Sequence, residues 1–184
     1  EMGSLNPVFV TSAAIGERSE ELAKGLVDSA LLGSGQFCTK PGLIFIPDNQ
    51  KEFLSQISAH LATLQVGPLL SSSIASRYGA AIASLAQAPN VQLFSAKATD
   101  NGFGVTPTIF VTDWATAQST QGLLEEHFGP TTVVITAAEK DFVKIAGELQ
   151  GQLTATIHGS ASDSFTELLS ILAQKAGRVI WNSF

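Results

Sequence analysis

The chain has 184 residues and a net charge of −6, with 45% apolar and 14% charged residues. This apolar fraction supports a sizeable core and excludes a disordered chain. The negative charge and the absence of any lysine or arginine cluster exclude nucleic acid and anionic membranes as expected partners. Because soluble domains typically carry roughly 25% charged residues, we expect something else to cover part of this surface.

Cys38 is the only cysteine in the sequence, which excludes an intramolecular disulfide framework and a cysteine-rich zinc site. With no signal-peptide pattern and no run of about 20 apolar residues, the expected location is the cytoplasm. The sequence starts with Glu1 instead of methionine and stops abruptly at Phe184. We therefore expect it to be a piece of a longer protein.

Strand-like and helix-like patterns alternate along the chain. β-Branched and aromatic runs predict strands, which lie in order at 7–11, 43–46, 91–94, 106–111, 131–136, 153–157 and 178–181. Helical spacing predicts a first helix that is capped by Ser19 and ends at Gly33, and further helices at 53–64, 71–87, 140–149 and 165–173. The alternation predicts a single α/β domain over 1–184, with an open, mostly parallel twisted sheet and helices on both faces.

The strongest local signal surrounds Cys38, which follows a Gly-x-Gly turn between a helix and a strand. Loops of this kind in α/β sheets bind ligands and display nucleophiles. Without other motifs, a small buried and inert thiol would be the more common interpretation. Since Cys38 follows the negative end of a helix, its thiolate needs stabilisation by another group, such as a cationic cofactor or an ordered amide.

Two carboxylates are candidate partners of this thiol. Glu1 is a candidate general base, although a separation of 38 − 1 = 37 residues decides nothing by itself. Glu126 suits the two hydroxyls of a ribose, and Phe128 suits one wall of a flat cofactor ring. On chemistry alone, a surface turn before the strand at 131 remains the favoured alternative for this second segment.

Other catalytic patterns are weaker. A cysteine hydrolase would need a histidine beside the thiol, and His60, His127 and His158 lie in no motif of that kind. His158 is expected at the end of a strand. The sequence also lacks a Gly-x-Gly-x-x-Gly loop, a Walker loop and metal-ligand spacing, so no metal is expected.

Three segments together resemble the aldehyde dehydrogenase superfamily. The sequence Gly-Gln-Phe-Cys at 35–38 resembles the family's nucleophile motif, and Glu-His-Phe-Gly-Pro at 126–130 is similar to its cofactor motif. The sequence Glu-Met-Gly-Ser at 1–4 resembles the segment that carries the family's general base. These motifs occur in the family's order, and the resemblance covers the whole chain.

Finer similarities point to one branch of the superfamily. The segments 3–10 and 35–42 resemble α-ketoglutarate semialdehyde (2,5-dioxovalerate) dehydrogenases and the NADP-dependent fatty aldehyde dehydrogenases of luminous bacteria. The sequence departs from the commoner pattern at Ser4 and at Lys40-Pro41, where many members carry small residues. The similarity of segments 3–10 and 35–42 to this branch implies 2,5-dioxopentanoate as the substrate, with long-chain aldehydes as the alternative.

The resemblance also implies a role for each motif residue. Cys38 would attack the aldehyde and form a thiohemiacetal and then a thioester, which water activated by Glu1 would hydrolyse. Glu126 would bind the ribose of NAD or NADP, and Phe128 would pack beside the nicotinamide. The aldehyde pocket would be shaped by flanking side chains, namely Phe37, Thr39 and Phe184.

The same resemblance identifies the chain as a catalytic domain without its partners. The nucleotide-binding domain of the same protein and the oligomerisation segments would lie outside the sequence, so the isolated piece would be inactive. The complete protein is expected to form a homodimer or homotetramer. Two other classes of function stay open, namely a cofactor-independent cysteine hydrolase or esterase and a non-catalytic interaction domain.

Overall fold

A computed structural model describes residues 3–184. Its strands are β1 (Val8–Val10), β2 (Leu43–Pro47), β3 (Gln92–Ser95), β4 (Thr108–Asp113), β5 (Thr131–Ala137), β6 (Gln152–His158) and β7 (Ala176–Trp181). They form one seven-stranded sheet in the order β3-β4-β5-β2-β1-β6-β7. Only the edge strand β3 is antiparallel to its neighbour within the described residues. The predicted α/β fold with an open, mostly parallel sheet is confirmed.

Six α-helices connect the strands in the described part of the chain. They are α1 (Ser12–Leu31), α2 (Lys51–Thr63), α3 (Ser72–Leu85), α4 (Trp114–Ser119), α5 (Phe142–Glu148) and α6 (Thr166–Lys175). Only α4 is absent from the sequence prediction. It has six residues, too few to show helical periodicity, and it begins where the Asp113 carboxylate accepts a hydrogen bond from the Thr116 amide at 2.9 Å.

The first helix begins earlier than the sequence predicts. Thr11 is its N-cap and accepts a hydrogen bond from the Ala14 amide at 3.2 Å. The backbone of Arg18 is non-helical (φ −147°, ψ 47°), so the helix kinks immediately before Ser19. The Ser19 hydroxyl donates to Gln56 of α2 instead of capping a helix. The prediction of Ser19 as the N-cap is therefore wrong, and the position it marked is the kink.

Alternate strand residues pack on opposite faces of the sheet. On one face Val8 and Ile44 contact α1 and α2, whereas on the other Phe9 and Phe45 pack against α3 to α6. The rings of Phe9 and Phe45 stack with centroids 4.7 Å apart. Within residues 3–184, no helix has both the length and the apolar character needed to cross a membrane.

Candidate active site

The predicted site segments gather at the amino ends of three adjacent parallel strands. Residues 3–6 lead into β1, the loop carrying Cys38 leads into β2, and the loop carrying Glu126 leads into β5. Most open α/β sheets bind ligands at the carboxyl ends of their strands. This sheet instead places the Cys38 thiol at the amino ends of its strands.

Cys38 is exposed, and the backbone around it is held by the side chain of Asn6. The side-chain amide nitrogen of Asn6 donates hydrogen bonds to the backbone carbonyl oxygens of Cys38 and Lys40, both at 2.9 Å. The side-chain oxygen of Asn6 accepts from the Ser4 hydroxyl at 2.7 Å and from the Thr154 backbone amide at 3.1 Å. Since Asn6 is 2% exposed, these bonds form a buried network that fixes the Cys38 loop against β1 and β6.

Lys40 joins the Cys38 loop to the Glu126 loop. Its side chain is buried, and Nζ donates to the carbonyl oxygens of His127, Gly129 and Thr131 at 2.7, 2.7 and 2.8 Å. Burial lowers the pKa of Lys40 to about 7, and the nearby charge of Glu126 opposes that shift. Three acceptors require all three ammonium protons, so these hydrogen bonds also favour the charged form.

A glycine contact brings the same two loops together. The Gly129 amide donates to the Gly35 carbonyl oxygen at 3.2 Å. Gly35 has a φ of +64°, and a Cβ there would lie 1.9 Å from the Gly129 carbonyl oxygen. Any larger residue at position 35 would therefore separate the Cys38 loop from the Glu126 loop.

Cys38, Glu126 and Phe128 line one cleft of about 510 Å³, which we call the outer cleft. The helix α3 closes one side of it with Ile74 and Arg77. The structure thus brings together three of the predicted site residues, whereas Glu1 lies outside the described residues. In the part of the chain from 3 to 184, no group of three or more His, Cys, Asp or Glu side chains is arranged to hold a metal ion.

The three predicted pocket residues Phe37, Thr39 and Phe184 line a different cavity of about 380 Å³. It lies between α1 and the sheet, and we call it the sheet-side cavity. Residues on either side of Cys38 face this cavity, while Cys38 itself faces the outer cleft. The Cys38 loop therefore lies between the two spaces.

The three histidines form no pair with the thiol in the described structure. His127 lines the outer cleft, but its Nε2 donates to the Gly122 carbonyl oxygen at 2.8 Å. His60 contacts Asp28 at 2.8 Å on the surface between α1 and α2. His158 is the last residue of β6, as the sequence predicts. A hydrolase-type Cys–His pair is thus not formed within residues 3–184.

Two residues that organise the site were not predicted as such from the sequence. Asn6 and Lys40 act through hydrogen bonds that join distant segments, as in the 87-residue separation between Lys40 and His127. The Asn-Pro pair before β1 was the one local signal that a special backbone conformation was needed, since Asn6 has a φ of 45°.

The sequence matches the model of the aldehyde dehydrogenase family over residues 1–184. It is 33% identical over 190 residues to alpha-ketoglutaric semialdehyde dehydrogenase 2 of Azospirillum brasilense. It is 35% identical over 202 residues to the alpha-ketoglutaric semialdehyde dehydrogenase of Acinetobacter baylyi. Both alignments cover 100% of this chain and 36% of the relative, so the chain spans just over a third of those proteins.

Solved structures share the fold over the whole chain. Gamma-glutamyl-gamma-aminobutyraldehyde dehydrogenase from Burkholderia cenocepacia superposes with a TM-score of 0.83 at 20% identity, with 38% of its chain covered. PnpE in complex with nicotinamide adenine dinucleotide superposes with a TM-score of 0.82 at 19% identity, with 39% covered. Together with the family match over the full sequence, these relationships establish that the chain belongs to the aldehyde dehydrogenase family.

Proposed function

We propose that the complete protein oxidises an aldehyde to a carboxylic acid with NAD or NADP, and that Cys38 is its nucleophile. The observation that carries this proposal is the position of the Cys38 loop between two spaces. Its thiol faces the outer cleft with Glu126 and Phe128, and its neighbours Phe37 and Thr39 face the sheet-side cavity. A nucleophile that must meet an aldehyde and a nucleotide at the same time needs this arrangement.

The outer cleft fits the nicotinamide half of the nucleotide. Glu126 is exposed at its edge and can accept hydrogen bonds from both ribose hydroxyls, while the partly exposed ring of Phe128 offers a flat apolar wall. When bound, the nicotinamide accepts a hydride equivalent from the substrate. The cleft volume of about 510 Å³ lies in the range of small-molecule sites.

The remaining chemistry is assigned to the chain's own groups. The Cys38 thiolate attacks the aldehyde carbon and forms a carbon–sulfur bond, and the backbone amide of Cys38 donates to the resulting oxyanion. After oxidation, Glu1 takes a proton from a water molecule that attacks the thioester, which releases the acid and the thiol. Asn6 and Lys40 position this machinery by holding the loops that carry Cys38 and Glu126.

We propose 2,5-dioxopentanoate, the α-ketoglutarate semialdehyde, as the substrate. The names of the two curated relatives support this choice over a long-chain aldehyde. We also propose a cytoplasmic homodimer or homotetramer. Exposed apolar side chains such as Leu70 (77% exposed) and Phe103 (45% exposed) support additional contacts in the complete protein.

The test is an assay of the full-length protein with 2,5-dioxopentanoate and either nucleotide. We expect reduced nucleotide to form in step with the acid, and we expect the fragment 1–184 alone to give none. Hydrolysis of an activated ester without nucleotide, in the absence of aldehyde oxidation, would contradict the proposal and favour a cysteine hydrolase. If the protein has neither activity, the proposal also fails.

A further inference from the structure

Three backbone carbonyl oxygens of the Glu126 loop converge on a single point. The carbonyl oxygens of His127, Gly129 and Thr131 lie 2.7, 2.7 and 2.8 Å from Nζ of Lys40. The chain turns at Gly129, whose φ is +145°, and segment 127–131 wraps around the ammonium group. We call these three oxygen atoms the carbonyl cage.

The carbonyl cage needs a positive charge at its centre. Each carbonyl oxygen carries a partial negative charge, and three of them aimed at one point repel each other. Rings of backbone carbonyl oxygens are also the groups with which proteins replace the hydration shell of a potassium ion. Segment 127–131 therefore has the form of a site for a monovalent cation, and Lys40 fills it with a cation that is attached to the chain.

The surroundings of the carbonyl cage also favour a cation. The negative charge of Glu126 favours the charged form of Lys40 and opposes the effect of burial on its pKa. Lys40, Glu126 and Thr131 also line a small cavity of about 10 Å³, which has room for one water molecule. Thr131 is 3% exposed, and its Oγ1 has no hydrogen-bond partner among residues 3–184. A cation at this place thus has a carboxylate nearby and space for water in the adjoining cavity.

A second lysine shows how the carbonyl cage differs from an ordinary helix cap. The ammonium of Lys175 donates to the carbonyl oxygens of Gly147 and Leu149 at 2.7 and 2.6 Å. These two residues lie at the end of α5, where a helix leaves carbonyl groups without partners. Segment 127–131 follows no α-helix end of this kind, because the last α-helix before it ends at Ser119. The convergence of its carbonyl groups is therefore a feature of the loop itself.

The carbonyl cage alternates with the two residues that the proposed function assigns to the nucleotide. Glu126 comes directly before the first residue of the cage, and Phe128 lies between the first and the second. Both side chains line the outer cleft. Because one ammonium group holds the backbone on either side of Phe128 and next to Glu126, the positions of both side chains depend on it.

We propose that the carbonyl cage is a binding site for a monovalent cation, occupied by the Lys40 ammonium, and that this cation holds Glu126 and Phe128 in the arrangement that binds the nucleotide. This inference rests on the proposed function, because it concerns the same outer cleft. Lys40 acts through the Glu126 loop and is therefore a positioning residue. Potassium and ammonium ions are nearly equal in size and sodium is smaller, so a free potassium or ammonium ion should replace a shortened Lys40 side chain better than sodium does.

The test replaces the attached cation by a free one in the full-length protein. We expect Lys40→Ala in sodium chloride to raise KM for the nucleotide by roughly tenfold, as for the loss of a charge-assisted contact, with a smaller change in KM for the aldehyde. Potassium or ammonium chloride at the same ionic strength should restore most of this loss. Tetramethylammonium chloride should not, because its ion is too large for the cage. The wild-type protein should have nearly the same KM in all four salts.

Two control variants separate the carbonyl cage from general effects of charge. Lys175→Ala also removes an ammonium group that donates to backbone carbonyl oxygens, but it lies outside the candidate site, so KM for the nucleotide should stay within about twofold in every salt. Glu126→Gln keeps the attached cation. It should raise KM for the nucleotide equally in sodium and potassium chloride.

A structural measurement locates the ion itself. Crystals of Lys40→Ala grown with thallium(I), which substitutes for potassium, should show anomalous scattering between the carbonyl oxygens of His127, Gly129 and Thr131. Equal KM values for this variant in sodium and potassium chloride, or no thallium in the cage, would overturn the inference. If Lys40→Ala folds in none of the salts, a free ion cannot fill the cage and the inference also fails. Each of these results leaves turnover by the wild-type protein unaffected, whereas a wild-type protein that oxidises no aldehyde would mean that the proposed function itself has failed.

Discussion

The two spaces on either side of the Cys38 loop are built from different parts of the fold. Loops and the helix α3 line the outer cleft, whereas three hydrogen-bonded strands and α1 line the sheet-side cavity. Sheet side chains have fixed spacing and direction, which suits selection among small substrates. A cleft formed by loops suits a ligand that a second domain helps to hold. The proposed function thus assigns substrate choice to the strands and nucleotide binding to the loops.

The largest effect is expected where the two spaces meet. Cys38→Ala should lower kcat/KM for aldehyde oxidation by several orders of magnitude, because no other group can form the carbon–sulfur bond. Nucleotide binding, measured by fluorescence quenching, should persist because the outer cleft is otherwise intact. Substantial turnover by this variant would remove Cys38 from the chemistry.

Lys40 tests whether the two loops depend on each other. Lys40→Met should lower the free energy of unfolding by about 3 kcal/mol, because it removes the ammonium that three backbone carbonyl oxygens share. Urea denaturation of the full-length protein would measure this loss. Lys140→Met removes an exposed lysine and should change stability by less than about 0.5 kcal/mol. A similar loss in both variants would show that the hydrogen bonds of the buried Lys40 ammonium do not stabilise the fold more than an exposed lysine does.

Two substitutions should divide the kinetic effects between the spaces. Glu126→Gln should raise KM for the nucleotide by roughly tenfold, through loss of charged hydrogen bonds to the ribose, with little change in KM for the aldehyde. Phe37→Ala should raise KM for the aldehyde with little change in KM for the nucleotide. The Phe37 ring lines the sheet-side cavity and not the outer cleft. Steady-state kinetics with each substrate varied in turn would measure both. Equal changes in both constants would contradict the separation of the two spaces.

The smallest effect concerns the stability of the protein at acidic pH, to which His158 at the end of β6 contributes. Because the pKa of His158 is lowered to about 4 in the folded state by burial and then by Arg18, the unfolded chain binds a proton there at a higher pH. Stability is therefore full above about pH 6.5 and declines as pH falls towards 4. His158→Phe should reduce this decline between pH 7 and 5 by roughly 2 kcal/mol. An identical pH profile for both proteins in chemical denaturation would contradict this assignment.

Local patterns predicted most of the fold, because the apolar and β-branched runs at 43–46 and 131–136 favour buried strands. The motif residues Cys38 and Glu126 were also identifiable, since their neighbours form compact signatures. Lys40 and Asn6 were not, because their partners lie up to 148 residues away. The kink at Arg18 likewise coincides with side-chain hydrogen bonds from Arg18 to Gly159 and Asn182, distant partners that no local pattern encodes.

The most direct test of the central claim is mass spectrometry of the full-length protein, trapped with aldehyde and oxidised nucleotide. Peptide mapping after rapid quenching should locate an acyl adduct on the Cys38 sulfur and on no other residue, and Glu1→Gln should increase its amount by slowing hydrolysis. An adduct on a different side chain, or turnover with no adduct in either protein, would contradict the assignment of Cys38 as the nucleophile.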